Sequence, residues 1–100
     1  DAAITGVGFK PSAVIFLGSS ADVGLSIGFS DATTHCTIYW YAASTAMVGS
    51  ALTCLALVDK DGGSQSAIIK TMDADGFTLT WTKDSSPGAG TGVVYYLALR

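Results

Sequence analysis

A single histidine, His35, is the first residue whose type could support catalysis. Beside a serine and an aspartate, it could act as the general base of a hydrolytic triad. Serine and aspartate are abundant in the chain, but a triad also requires both to converge with the histidine in space. His35 falls at the start of a predicted strand, on its polar face. We therefore expect a structural histidine, no catalytic residue and no enzyme.

Two cysteines, Cys36 and Cys54, leave two states open. If their strands form a hairpin that turns near Thr45, the two residues lie opposite each other and a cross-strand disulfide is feasible. The alternative is a pair of buried free thiols, which behave as small apolar side chains. The apolar surroundings favour free thiols. Zinc is not expected, because one histidine and two distant cysteines lack closely spaced ligand pairs.

Two Asp-x-Asp-Gly segments begin as many calcium-binding loops do. They are Asp59-Lys60-Asp61-Gly62 and Asp73-Ala74-Asp75-Gly76. Carboxylates on alternate residues can converge on one hard cation, but a complete EF-hand loop ends in a bidentate Glu, and this chain has no Glu. Asp and Gly are also the residues that tight turns need. We predict two hairpin turns, no metal and no cofactor.

Six aromatic residues form the last candidate group. Rings on a sheet face can stack on sugars or anchor a protein interface. Three of them are consecutive, so one strand carries rings on both faces, although a sandwich core needs only one. The other rings are then either covered by another molecule or exposed. The candidate interface or ligand residues are Tyr39, Trp40, Tyr41, Trp81, Tyr95 and Tyr96.

The composition indicates the elements that must position these residues. Only 13% of the 100 residues are charged, against about 25% in a typical domain. The chain lacks Glu and Asn and has a single Gln, Gln65, so the residues that fill exposed helix positions are nearly absent. Residues that favour strands are common. We predict one all-β domain spanning residues 1–100, an antiparallel β-sandwich.

The pattern along the chain predicts seven or eight short strands, which is typical of a sandwich or small barrel. Residues 13–18 are continuously apolar, which predicts a strand buried on both faces. Residues 24–30 alternate large apolar with small residues, and residues 77–82 alternate Phe77, Leu79 and Trp81 inward with threonines outward. The other predicted strands or apolar runs cover residues 2–9, 34–43, 51–58, 65–72 and 92–100.

Charge excludes some partners. The net charge is −3, and the five cations Lys10, Lys60, Lys70, Lys83 and Arg100 are scattered along the chain. A basic footprint for nucleic acid or for an anionic membrane surface is therefore missing. No apolar run approaches the roughly 20 residues of a membrane-spanning helix. We expect neither nucleic acid nor membrane as a partner.

Three segments together resemble a known family. They are residues 4–16 (ITGVGFKPSAVIF), 73–79 (DADGFTL) and 94–99 (VYYLAL). The combination is similar to small β-sandwich proteins of tailed bacteriophages and prophages, which are virion structural proteins or modules of tail and fibre proteins. The resemblance covers about a third of the chain. It implies a virion location, on the head or tail surface, and other virion proteins as partners.

The layout also resembles that of H-type lectins, small sandwiches that trimerise and bind sugars. Phe9, Pro11 and Val14 come in that order early in the chain, and Gly76-Phe77-Thr78-Leu79 comes late. None of the lectin sugar-binding residues is carried over to this sequence. The resemblance implies a trimer as one form of homo-oligomer, and a host glycan as an alternative partner.

The low charge and the aromatics on both faces of residues 39–41 favour an assembly. A small sandwich has two outer faces, and here they carry few charges. We therefore expect a non-enzymatic virion subunit that packs on copies of itself or on the shell, as a capsid decoration or tail-fibre component. The alternative is a carbohydrate-binding module of a tail fibre.

Overall fold

The structure, a computed structural model, describes residues 1–19, 24–41, 48–58, 63–84 and 92–100. These residues form nine strands: β1 (Ala2–Ile4), β2 (Ala13–Ser19), β3 (Gly24–Ser30), β4 (His35–Tyr41), β5 (Val48–Ser50), β6 (Leu55–Val58), β7 (Ser64–Asp73), β8 (Gly76–Asp84) and β9 (Val93–Leu99). One antiparallel sheet has the order β1-β8-β7-β6, and the other has the order β5-β4-β3-β2-β9. The predicted all-β fold is confirmed. Within the described ranges no helix is long and apolar enough to cross a membrane.

The first strand is shorter than predicted. It ends at Ile4, because Gly6 and Gly8 have φ angles of 86° and 92°, which an extended strand does not allow. Their N–H groups donate to the two carboxylate oxygens of Asp75, at 3.0 and 2.6 Å. The N–H of Val7 donates to the Asp75 carbonyl at 3.0 Å. The glycine-rich segment is thus a clasp on the β7–β8 turn.

The predicted run at residues 51–58 is also shorter. Only Leu55–Val58 forms a strand, β6, and the short β5 precedes it in the other sheet. The chain therefore crosses between the sheets after Ser50. At Cys54 the chain has reached the four-stranded sheet, since the Cys54 N–H donates to the carbonyl of Ala67 in β7 at 2.9 Å.

The core lies between the two sheets. Its buried members are Val14, Phe16, Cys54, Leu55, Ala67, Ile69, Phe77 and Leu79. Phe77 is the centre of an aromatic group, with its ring edge-on to Phe16 at 5.6 Å and to Tyr96 at 5.2 Å. These contacts bring β2, β8 and β9 together around one core.

The four-stranded sheet follows the predicted alternation. Phe77 and Leu79 of β8 are buried, Trp81 packs against the core, and the threonines between them point outward. Asp73 pairs with Gly76 across a two-residue turn, so the second predicted hairpin is confirmed. The predicted turn at residues 59–62 lies outside the described residues.

The five-stranded sheet does not follow the expectation for residues 13–18. Val14 and Phe16 are buried, but Ile15 and Leu17 are exposed, so the prediction of burial on both faces was wrong. In β3 the small residues Ser26, Gly28 and Ser30 face the core, and its large apolar residues face outward.

The reason lies in the close approach of β6 to β3. The Ser26 hydroxyl accepts a hydrogen bond from the Ala56 N–H at 3.1 Å and forms another with the Thr37 hydroxyl at 3.1 Å. A Cβ on Gly28 would collide with the carbonyl oxygen of Cys54. Only small side chains fit between these backbones, so the large residues of β3 lie on the other face.

Candidate functional site

The most unusual surface of this protein is the outward face of the five-stranded sheet, which we call the outer apolar face. Among the described residues, ten large apolar side chains of this face are between 40% and 68% exposed. They are Ile15, Leu17, Leu25, Ile27, Phe29, Ile38, Val93, Tyr95, Leu97 and Leu99. Because the side-chain period of a strand is two, β2, β3, β4 and β9 each contribute alternate residues to this one face.

Strand register arranges these side chains in rows across the sheet. In the central row Tyr95 pairs with Leu17, Leu17 with Ile27, and Ile27 with Ile38. A neighbouring row runs from Leu97 through Ile15 and Phe29 to Cys36. Residues directly opposite each other on one face have Cβ atoms about 5 Å apart. The ten side chains therefore form a continuous surface and not scattered apolar contacts.

The outer apolar face carries no charge in the part of the chain that the structure describes. The charged residues lie elsewhere: Asp1 pairs with Lys70 at 2.8 Å on the four-stranded sheet, and Asp31 lies in the β3–β4 turn. Asp73 and Asp75 lie at the β7–β8 turn. A partner that covers this face would bury none of these charges.

The fold itself does not require such a surface. The corresponding face of the four-stranded sheet carries Thr78, Thr80 and Thr82, which are compatible with water. Ten side chains, each exposing about half of a surface of roughly 200 Å², amount to roughly 1,000 Å². The largest apolar patch of a typical monomer is about 300–600 Å². The size of the face therefore indicates an interaction site.

A shallow pocket of about 210 Å³ lies over β2 and β9 on this face. Its lining residues are Ile15, Phe16, Leu17, Tyr95, Tyr96 and Leu97. Apart from the Tyr95 hydroxyl, the lining side chains that lie on this face offer no polar group. The pocket suits an apolar side chain of a partner better than a polar small molecule.

The six candidate aromatics are not gathered into one site. Trp40 and Tyr95 lie on the outer apolar face, and Tyr95 is the most exposed of its ten large residues, at 68%. Tyr39 and Tyr96 are on the inner side, and Trp81 packs against the core from the other sheet. The side chain of Tyr41 lies outside the described part of the chain.

His35 takes part in a turn. Its Nδ1 is 2.7 Å from the hydroxyl oxygen of Ser30, which also accepts the Ala32 N–H at 2.9 Å. Asp31 accepts the N–H groups of Thr33 and Thr34, and these bonds lower the pKa of its carboxyl. Ser30 is 0% exposed, so its hydroxyl is out of reach of a substrate. The serine–histidine pair therefore closes the β3–β4 turn and does not form an accessible dyad.

The two cysteines are free thiols on different faces. The register pairs Thr37 with Ser50, which places Cys36 on the outer apolar face and leaves Cys54 beyond the end of β5. The hairpin does not bring the two residues together, because the chain crosses to the other sheet after Ser50. Its predicted turn, near Thr45, lies outside the described residues. Burial raises the pKa of the Cys54 thiol to about 11.

The described Asp-x-Asp-Gly segment uses its carboxylates within the protein. Asp73 accepts the hydroxyls of Thr71 and Thr78 at 2.8 and 2.7 Å, which lowers its pKa, the Thr78 bond having the larger effect. Asp75 accepts the two glycine N–H groups of the clasp. Among the described residues no group of three potential ligands could hold a metal ion. Asp59 and Asp61 lie outside those residues.

Comparison of the chain with protein-family models, with curated proteins and with solved structures finds no match. The function is therefore inferred from the residues themselves. The aromatic candidates were predicted from the sequence, whereas the aliphatic members of the outer apolar face were not. A signal for them was present, because residues 13–17 and 93–99 are apolar at both odd and even positions.

Proposed function

We propose that this protein is a non-enzymatic structural subunit of a bacteriophage virion, in a capsid-decoration or tail-fibre role, and that it works by packing on other proteins. One observation carries the proposal, the roughly 1,000 Å² of uncharged apolar surface on one sheet face. Such a surface is typical of a protein that functions within an assembly.

The resemblance to tailed-phage sandwich proteins supplies the virion part of the proposal. Two of its three segments contact each other in the fold, since Gly6 and Gly8 hold Asp75. A Cβ on Gly76 would collide with the carbonyl oxygen of Ile4, which makes that glycine a requirement of the same contact. These contacts give the residues of two of the segments a role in the fold.

The absence of catalysis is part of the proposal. The His35 imidazole is held by a serine hydroxyl that is completely buried. A nucleophile must reach the substrate carbonyl to react, so this pair does not serve as a catalytic dyad.

Carbohydrate binding is the alternative, with Tyr95 as the ring available for stacking. Its neighbours on the face, Leu17 and Leu97, offer no hydrogen-bond partner for sugar hydroxyls. Sugar sites combine a stacking ring with precisely placed polar groups, so the geometry favours the structural role. Saturable binding on a glycan array that Tyr95→Ala abolishes would favour the alternative.

Peptide mass spectrometry of purified virions tests the proposal. The particles are those of the phage or prophage that encodes the chain, separated from cell lysate on a density gradient. We expect its peptides at a fixed ratio to the major structural proteins. Their presence in the lysate but not in the particles would refute the virion role.

A further inference from the structure

We infer that the outer apolar face is covered by the same face of a second copy of this chain, with the two five-stranded sheets stacked against each other. The inference builds on the proposed structural role and names the partner of its surface. It depends on three properties of the face: its area, its lack of charge and its regular rows.

The area matches what a stable dimer needs. A specific interface of standard size buries about 800 Å² on each partner, and the outer apolar face offers roughly 1,000 Å² by the estimate from its ten half-exposed side chains. A single sheet face can therefore supply one whole subunit contact. Neither the second sheet nor a further partner is needed to complete it.

Charge permits two identical faces to meet. In a two-fold contact both partners use the same surface patch, so a net charge on the face would be repelled by its copy. The described outward positions of the five-stranded sheet carry none. Of the described acidic residues, Asp73 and Asp75 lie at the β7–β8 turn and Asp1 at the other sheet, while Asp31 lies in the β3–β4 turn, beyond the ends of the strands that form the face.

The shape of the face is that of a sheet that packs on another sheet. Stacked sheets lie about 10 Å apart, and their side chains interdigitate. Ile27 and Ile38 form the centre of the face, flanked by Leu17 and Tyr95 on one side. Rows of branched aliphatic side chains, together with the rings of Phe29, Trp40 and Tyr95, form the kind of face on which the same rows of a second copy can interdigitate.

The first experiment measures mass in solution by sedimentation. We expect the 10.2 kDa chain to form a dimer or a higher multiple built on it. The double variant Ile27→Thr/Ile38→Thr removes apolar surface from the centre, and threonine keeps the strand preference. We expect its dissociation constant to rise at least about tenfold.

Leu52→Thr is the matched control, because Leu52 is 80% exposed but lies between β5 and β6, off the face. It should leave the dissociation constant unchanged. Circular dichroism checks that every variant is folded. A wild-type chain that stays monomeric into the millimolar range would overturn the inference, and so would equal effects of the central and control variants.

The second experiment asks which surface is covered. Single thiols are introduced as Ile27→Cys and Leu52→Cys in a Cys36→Ser background, where Cys54 is completely buried. We expect maleimide to label Ile27→Cys at least about tenfold more slowly at concentrations that favour the dimer than after dilution. Leu52→Cys should react equally at both. An oligomer in which Ile27→Cys reacts freely would mean that copies pair by another surface, such as the β9 edge, and would overturn the inference.

The outcomes separate this inference from the virion role. A monomer that is nevertheless present in purified particles overturns the stacked dimer alone. A dimer that is absent from the particles overturns the virion role alone.

Discussion

At the scale of residues, glycines and carboxylates determine the clasp between the start of the chain and the β7–β8 turn. Gly6 and Gly8 adopt positive φ angles and donate to Asp75. Gly76 lies against the carbonyl of Ile4, where a Cβ has no room. These residues of the motif that suggested a family therefore have a physical role in the fold. The Asp75 carboxylate and the Gly6 and Gly8 N–H groups are bonded to each other and so are not offered to a ligand.

Gly76→Ala tests the tight contact. The added methyl must displace the β1 backbone, so we expect a loss of about 1–3 kcal/mol in the free energy of unfolding. Gly49→Ala is the matched control in a strand, since the nearest atom to its Cβ would be the Thr37 carbonyl oxygen at 4.0 Å. Urea unfolding measures both. Equal stability of the two variants would contradict the account.

Asp73 makes stability depend on pH. Hydrogen bonds from Thr78 and Thr71 hold its pKa below 3.8 in the folded protein, while the unfolded chain has the ordinary value. Between the two values the unfolded chain binds more protons. This stabilisation is therefore present above pH 3.8 and is lost as pH falls through the folded pKa.

We expect the thermal midpoint of unfolding to fall on acidification below about pH 4. We expect Asp73→Asn to reduce the slope of this midpoint against pH. Asp31, whose pKa is also lowered, accounts for part of the slope that remains. Thermal melts of the wild type and the variant across about pH 2–6 measure this slope. An unchanged slope in the variant would exclude Asp73 as a contributor.

At the scale of elements, β3 shows how a strand with clear alternation can place its large apolar side chains on the outward face. Its inward positions are Ser26, Gly28 and Ser30, all buried. Ser26 connects the two sheets by accepting the Ala56 N–H, while Thr37 adds a bond to the Ile27 carbonyl. A buried polar position is tolerated there because hydrogen bonds satisfy it.

Ser26→Ala tests this connection. It leaves the buried Ala56 N–H without its acceptor, so we expect a loss of about 1–3 kcal/mol in the free energy of unfolding. Ser66→Ala, at an outward position of β7 opposite Thr82, should change stability by less than about 0.5 kcal/mol. Denaturant melts compare the two variants. A neutral Ser26→Ala would show that the network does not stabilise the fold.

At the scale of the whole molecule, the two sheets have opposite characters. The four-stranded sheet has an outward row of threonines, as expected for a sheet in water, whereas the five-stranded sheet has ten large apolar side chains on its outward face. The scarcity of charged residues is most evident on this one face, whose described positions carry none. In the proposed stacked dimer, each molecule would contribute one half of a second apolar core.

An assembled protein should melt at a temperature that depends on its concentration, because association favours the folded state by mass action. We expect the midpoint to rise by a few degrees for each tenfold increase in concentration. Ile27→Thr/Ile38→Thr should lose this dependence, and Leu52→Thr should keep it. Differential scanning calorimetry at several concentrations measures the effect. A concentration-independent wild-type midpoint would argue against assembly.

The sequence by itself determined the all-β class, the hairpin at Asp73 and Gly76, and the inward row of β8. Composition and turn residues are local properties, and they suffice for these features. The strand at residues 24–30 was also predictable, because alternation identifies a strand. Alternation does not say which face is the inner one, since both faces repeat with the same period of two.

Only the tertiary structure decided that Leu25, Ile27 and Phe29 point outward. The backbone of residues 54–56 lies so close to β3 that only serine and glycine fit between them. The partner strands then follow by register, so Ile15, Leu17 and Ile38 are also exposed. The outer apolar face is therefore a consequence of packing between segments about thirty residues apart in the chain, which no local pattern contains.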